Sequence, residues 1–464
     1  MSRHQAPPVR RAHPGEDLSQ LPPEISAHLA RPFLYFIRVA AMAGAALLAA
    51  TMLALALANG PWATAFLALW EMPAGIAIGT FDTTRSIRHW INDGLMALFF
   101  FVVSLELKRE LVLGELRTVR AAMLPAAAAL GGMAVPVIVF LLLVEPGPAM
   151  HGWGTVMSTD TAFVVGCLAV LGSRIPGSLR LFLLSLAIFD DVGAILVVAI
   201  GYGGPLDWGA LAAAGAVVLT IVAVRRLGVR AMPVYVALGL ALWVALDLSG
   251  VHATVSGVVL GLMTPSGRWV SGTRLRAILD RVASHPLDQR WGDDRLARQA
   301  LSRAGTATRE VLSPLERLEM ALHPWVAFGV LPLFALANAG VPFGRATVDT
   351  GLVLATAAAF VIGKPTGIVL ASVLAVRLRL AVRPASLPWK LLAAGSLLTG
   401  IGFTMALFVA ELAFDADRLD SAKAGVLVAS VVCALAGLGA IIAVTRGPRT
   451  PGPANRRDLD PAAR

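Results

Sequence analysis

Asp190 and Asp191 stand next to each other inside an otherwise apolar run, Leu179 to Ile200, that is long enough to cross a bilayer. An ionised Asp at the centre of a spanning helix costs roughly 2.5–3.5 kcal/mol, so two retained carboxylates point to the handling of cations or protons. Successive helical residues point about 100° apart, so the two cannot face one point. One can line an ion site while the other pairs elsewhere. Lys364, in Gly363-Lys364-Pro365, is the only Lys or Arg that falls inside an expected span away from its ends, and pairing would offset the cost of burying either charge alone.

Two polar interruptions accompany them. Ser158-Thr159-Asp160-Thr161 breaks an apolar stretch bracketed by Gly154 and Gly166, and Thr399-Gly400-Ile401-Gly402-Phe403-Thr404 places two helix-weakening glycines in another span. Unwinding there would leave half-helix ends whose partial charges the carboxylates and Lys364 can offset. Two broken helices in corresponding positions of two halves are the sequence pointer to an ion site in a secondary transporter with inverted repeats. Plainer readings compete. Gly400 and Gly402 also suit a close helix contact. Asp93 suits a hydrogen bond between packed helices, and His252 suits an interfacial His as well as a pH-responsive one. Glu106, Lys108, Arg109 and Glu110 suit a solvated helix end. Asp160, Asp190, Asp191 and Lys364 taken together are hard to explain as packing.

The elements that must position these groups are membrane spans. Hydrophobic residues make up 57%, charged residues 15% and mean hydropathy is +0.74, which excludes an ordinary soluble domain and indicates a polytopic, all-α membrane protein. With about 20 apolar residues per span, twelve stretches qualify: Val39–Ala58, Asp93–Leu111, Ala121–Leu143, Gly154–Leu171, Leu179–Gly201, Trp208–Val224, Met232–Leu248, His252–Met263, His323–Val341, Leu352–Ala375, Leu391–Phe414 and Ala424–Thr445. The net charge of +10 does not signal nucleic acid. With both termini cytoplasmic, 33 of the 39 Lys and Arg fall in cytoplasmic segments, five in outer ones, and Lys364 inside a span, which is the positive-inside asymmetry. Cys167 and Cys433 both lie in spans and read as packing thiols, with no disulfide and no metal-ligand spacing. No cofactor and no cleavable signal peptide is expected.

Residues 1–31 read as a disordered cytoplasmic tail, 32–446 as the transmembrane domain and 447–464 as a cytoplasmic C-terminal tail. Inside the domain, 265–312 is a polar cytoplasmic insertion. Ser313-Pro314-Leu315-Glu316 then forms a capping box that starts a helix near Ser313 and carries Glu319 toward His323. The outer connection 60–90 permits a hairpin, with Ala74–Ile78 and Ser86–Trp90 flanking Gly79, Asp82 and Thr83.

The chain from about Pro32 to Thr445 resembles the NhaA family of bacterial sodium/proton antiporters. The resemblance rests on Trp90-Ile91-Asn92-Asp93-Gly94, Leu105-Glu106-Leu107-Lys108-Arg109-Glu110, Ser158-Thr159-Asp160-Thr161-Ala162-Phe163, Phe189-Asp190-Asp191-Val192-Gly193, Gly250-Val251-His252-Ala253-Thr254, Leu322-His323-Pro324-Trp325, Ala337-Asn338-Ala339-Gly340, Gly363-Lys364-Pro365 and Gly400-Ile401-Gly402-Phe403-Thr404, in order and at similar spacing. It implies twelve spans with inverted repeats, the fourth and eleventh unwound and crossing at mid-membrane, in a multi-pass protein of the bacterial inner membrane with both termini cytoplasmic. It also implies electrogenic, pH-regulated exchange of cytoplasmic Na+ or Li+ for external H+ by alternating access, with more protons than sodium ions moved per cycle. Asp191 would be the principal ion and proton carboxylate, Asp160 and Thr159 would sit at the crossing with Na+ held at Asp191 and Asp160, and Asp190 would pair with Lys364. Glu106, Arg109, Glu110, His252, Glu319 and His323 match positions of the cytoplasmic funnel and pH response. The 60–90 connection would be the hairpin through which a homodimer forms.

Three features depart from the family pattern. Met320 follows Glu319 where some members carry a His, Glu411 adds a carboxylate near the outer end of the eleventh span, and the 265–312 insertion exceeds the family core. Two rival classes fit less well. A passive channel favours symmetric rings, whereas this chain offers one asymmetric cluster. An intramembrane enzyme would need a D-D-x-x-D or G-x-G-D context, and Asp190-Asp191-Val192-Gly193-Ala194 supplies neither.

Overall fold

The structure, a computed structural model, describes residues 36–445 except 76, 79–80, 83, 113, 115–118, 173–174, 230, 268–271, 284–298, 300–301, 306, 309–311 and 343–347. Both expected tails, 1–31 and 447–464, therefore fall outside the described residues, as does most of the 265–312 insertion.

The described residues are mostly helical. In order come α1 (Phe36–Ala58), α2 (Ala63–Glu71), four two-residue strands, α3 (Ile87–Val112), α4 (Val119–Leu143), a 3-10 segment (Pro148–Val156), α5 (Thr161–Leu171), α6 (Gly177–Gly201), α7 (Trp208–Arg226) and α8 (Met232–Ser249). They are followed by α9 (Val255–Met263), α10 (Gly272–Ala283), α11 (Pro314–Asn338), α12 (Thr350–Arg377), α13 (Trp389–Leu398), α14 (Phe403–Ala413) and α15 (Ala416–Thr445). Among the described residues, eight helices are long and apolar enough to cross a membrane, or up to eleven if each of three bent pairs is one span. The eight correspond to the second, third, fifth, sixth, seventh, ninth, tenth and twelfth expected spans. The eighth is the shortfall: α9 has nine residues, about 14 Å at 1.5 Å per residue, too short to span alone.

Local chemistry explains several boundaries. Asp207 caps α7 by accepting from the Gly209 and Ala210 amides, and Asp349 caps α12 through Leu352. The capping box at Ser313 and Glu316 is present, and the helix it opens runs on as α11 through the ninth span as far as Asn338, three residues short of the expected end. Two π-helical turns, Val326–Val330 and Ala359–Gly363, end just before Pro332 and Pro365. A proline ring clashes with the carbonyl four residues back and supplies no N–H, and a wider turn relieves both faults without ending the helix. The second of these turns delivers Lys364.

The outer connection differs from expectation in detail. Its strands pair as Pro73 with Ser86, Ala74 with Arg85, Ala77 with Asp82 and Ile78 with Phe81, so the returning strands lie at 81–82 and 85–86 and not at 86–90. Ser86 stops it by accepting from the His89 amide and capping a new helical turn. Ahead of the hairpin, α2 bends 114° from α1, a helix the sequence reading did not contain.

Helices α4 and α12 pack with close backbone approach. A Cβ added to Gly367 would stand 2.1 Å from the Gly131 carbonyl oxygen, and one added to Gly131 would stand 2.3 Å from that of Gly367. Close backbone approach between small residues is a main source of helix association in lipid. Gly367→Ala should therefore cost about 1–3 kcal/mol by overpacking, read as a lower Tm of purified protein in detergent. An unchanged Tm would contradict this contact.

Candidate functional site

The centre of the molecule is built by two breaks that meet. The 3-10 segment and α5 bend by 41° across residues 157–160, and α13 and α14 by 52° across 399–402. The Asp160 amide donates to the Ile401 carbonyl at 2.7 Å, which ties one break to the other. Gly400 and Gly402 let the second break lie close against α12 and α15. A Cβ on Gly400 would lie 2.5 Å from Cys433 Sγ and 2.8 Å from the Phe360 carbonyl oxygen, and one on Gly402 would strike the Phe360 ring at 2.5 Å. The two glycines thus serve both as interruption and as close contact.

Asp160 caps two helices at once. Its Oδ1 accepts from the Phe163 amide at the start of α5, and its Oδ2 accepts from the Thr404 amide and hydroxyl at the start of α14, at 2.9 and 2.6 Å. Both helix N-termini, each carrying partial positive charge, are directed at this one buried carboxylate. The opposite signs are met next door. Lys364 Nζ lies 3.0 Å from Asp190 Oδ2 and donates to the Met157 carbonyl, which ends the 3-10 segment. The Thr159 hydroxyl lies within hydrogen-bond reach of both Asp190 Oδ2 and the Thr399 carbonyl that ends α13. Lys364 and Asp190 are 0% and 1% exposed, so the pair is wholly buried.

Asp191 is different. It is buried at 5% exposure, its Oδ2 accepts from the Thr161 hydroxyl at 3.2 Å, and its Oδ1 has no hydrogen-bond partner among the described residues. Asp190 Oδ1 and Ser158 Oγ are likewise buried without partners. A buried carboxylate with no fixed counter-charge is costly as an anion and is relieved by a proton or a cation. Carboxylate, hydroxyl and carbonyl oxygens together form a hard donor set suited to a small alkali ion.

Five of the expected funnel residues also meet. His323 Nδ1 lies 3.0 Å from Glu106 Oε1, Arg109 pairs with Glu319, and Arg109 lies 3.1 Å from Glu110, so a chain of polar contacts joins α3 to α11. Met320 is 58% exposed beside this chain and not in it. Lys108 does not belong to a loose solvated end, because its Nζ donates to the Leu262 and Thr264 carbonyls that close α9. His252 is elsewhere. Its Nε2 faces Asp93 Oδ1 at 3.8 Å, and Asp93 precedes Glu106 by 13 residues of α3, about 20 Å. His252 therefore sits at the hairpin end, apart from the other five.

A buried ion pair was missed. The twelfth span was expected to begin at Ala424, leaving Lys423 in an outer loop, but α15 starts at Ala416 and Lys423 is 2% exposed. Lys423 Nζ bonds Glu411 Oε1, to which Arg88 adds a 3.4 Å contact. Glu411 is thus the counter-ion of Lys423, and its 12-residue offset from a lysine was the signal available in the sequence. A separate cavity of about 940 Å3, lined by Trp90, Phe101, Trp243, Leu260 and Leu322 among others, is mainly apolar and does not reach Asp191.

These features define an all-α, multi-pass membrane protein whose charged centre is assembled from two interrupted helices. Residues 35–441 match the family described as Na+/H+ antiporter 1, and the chain belongs to that family. It is 62% identical over 430 residues to the Na(+)/H(+) antiporter NhaA of Rhizobium meliloti, covering 93% of this chain and 98% of that protein. It is also 55% identical to Na(+)/H(+) antiporter NhaA 3 of Acidiphilium cryptum, with 91% and 93% covered, and 48% identical to Na(+)/H(+) antiporter NhaA 2 of Vibrio vulnificus, with 91% and 94% covered.

Proposed function

We propose that the protein exchanges cytoplasmic Na+ or Li+ for external H+ across the bacterial inner membrane by alternating access, with Asp191 as the carboxylate for which the two ions compete. The observation that carries this is the free Oδ1 of buried Asp191, 30 residues from its one hydroxyl donor and next to a neighbour already committed to Lys364. The names of the relatives supply the ion pair. Asp190 and Lys364 compensate charge, and Thr159 and Asp160 complete the site. Asp160 accepts hydrogen bonds from the starts of both half-helices, so direct ligation of Na+ by this carboxylate would couple ion binding to helix movement.

The same reading makes the cycle electrogenic and pH-regulated, with the Glu106, Arg109, Glu110, Glu319 and His323 chain at the cytoplasmic end. Twelve passes arranged as inverted repeats, with α9 completing the count, accommodate both termini in the cytoplasm. The hairpin of the 60–90 connection is offered as the contact of a homodimer, through strand pairing between copies.

Competition has a definite sign. If a proton and Na+ exclude each other from Asp191, acidification fills the carboxylate with protons and weakens sodium binding. In everted vesicles carrying a pH dye, Na+ and Li+ should drive proton movement while K+ does not. Below the pH at which the site is half protonated, the apparent KM for Na+ should rise about tenfold per pH unit for one competing proton. A KM independent of pH across the active range would overturn the shared site. Discharge of a sodium gradient without proton movement would favour a channel instead.

A further inference from the structure

A second group of ion-binding side chains lies at the hairpin end, apart from the carboxylate centre. His89, Asp93 and Asp247 each bring one ligand atom to within 4.8 Å of the others. His89 Nε2 is buried, has no hydrogen-bond partner among the described residues, and stands 3.4 Å from Asp93 Oδ2. Across the same carboxylate, His252 Nε2 stands 3.8 Å from Asp93 Oδ1. The other ring nitrogen of His252, Nδ1, is 2.9 Å from the Thr254 hydroxyl, a contact that fixes the ring and leaves Nε2 facing the group.

Donor type and spacing select the ligand. Imidazole nitrogens are poor partners for Na+ but good ones for borderline divalent transition ions, and two His with two carboxylates form an ordinary four-ligand set for Zn2+. Ligand atoms about 2.0–2.1 Å from a tetrahedral ion stand about 3.4 Å from one another, which is the His89–Asp93 separation. Among His89, Asp93 and Asp247 the widest separation needs at most about 1.4 Å of side-chain movement to reach the same value, within the reach of the partly exposed His89 and Asp247, while His252, which stands on the other oxygen of Asp93 and outside that group of three, must swing further to join as a fourth ligand.

We propose that His89, Asp93 and Asp247, with His252 as fourth ligand, form a binding site for a divalent transition-metal ion of the Zn2+ class at the hairpin end of the protein. The site spans separate elements. His89 and Asp93 belong to α3, Asp247 to α8 and His252 to the turn before α9, while the His252 ring packs edge-on against Phe408 of α14 at 5.6 Å. A bound ion would staple α3 to α8 and hold His252 against the second interrupted helix, so occupancy should slow any cycle in which these elements move.

The binding test does not depend on the transport reading. Purified full-length protein, freed of any affinity tag, should retain one Zn2+ per chain after desalting. With Co2+ in place of Zn2+ it should show the intense visible absorption of a four-coordinate site. His89→Ala and Asp247→Asn should each weaken Zn2+ binding at least tenfold while leaving exchange without metal unchanged. Micromolar Zn2+ should slow exchange in the wild type severalfold and spare both variants. Equal Zn2+ retention by wild type and variants, or a Co2+ spectrum of six-coordinate type, overturns the site. Stoichiometric binding with no effect on exchange overturns the staple.

Discussion

Asp191→Asn should abolish sodium-driven proton movement while leaving a folded protein. The amide is nearly isosteric and can keep the contact to the Thr161 hydroxyl, so packing around a residue of 5% exposure changes little. What disappears is the charge. An amide cannot neutralise a cation and does not take a proton near neutral pH, so both halves of the exchange lose their common binding group. With an effective dielectric of about 20, losing one unit of charge about 4 Å from the ion costs about 4 kcal/mol, roughly a thousandfold in affinity. The variant should therefore give less than about 1% of wild-type exchange at any Na+ concentration that vesicles tolerate. Its Tm should stay within a few degrees of wild type or rise, because a buried charge without a fixed partner has been removed. Retention of a tenth or more of the activity would mean that another group, Asp190 or Asp160, carries the ion.

How much of this could be seen in the sequence depended on which interaction fixed each feature. Long apolar helices were legible because lipid demands about 20 apolar residues and internal hydrogen bonding. Thus α6, expected at Leu179–Gly201, runs Gly177–Gly201. The start of α11 was legible because a capping box is a local code. The interruption at Ser158–Thr161 was visible as polar residues in an apolar stretch. That Asp160 caps the starts of both α5 and α14 was not, because Thr404 lies 244 residues away. The boundary of α15 was misjudged for a related reason. Lys423 reads as solvent-facing by type, and only Glu411 and its place between packed helices make burial tolerable. His252 matched a motif correctly but was grouped with residues at the other end of α3, since a motif carries no depth. Gly131 and Gly367 gave no signal, because contacts between glycines 236 positions apart have no local pattern.

Lys364 allows the cluster to be dissected, because loss of the charge and loss of the pair predict different outcomes. Lys364→Met leaves Asp190 buried at 1% exposure with the Thr159 hydroxyl as its remaining donor, and strands the Met157 carbonyl. Removing one partner of a buried pair typically costs about 3–5 kcal/mol, because the other charge stays uncompensated. Lys364→Met should therefore lower the Tm by more than any other single change to the cluster. Adding Asp190→Asn removes the stranded charge and should recover most of that loss, since a buried pair replaced on both sides is often neutral. Activity should divide differently. The double variant keeps Asp191 and Thr161, so it should retain measurable exchange with an altered pH profile, whereas Asp191→Asn has none to alter. Asp190→Asn alone leaves Lys364 buried without its carboxylate and should be unstable in turn. A Lys364→Met protein as stable as wild type, or a double variant no more stable than Lys364→Met, would show that the 3.0 Å contact between Lys364 and Asp190 does not hold α6 and α12 together.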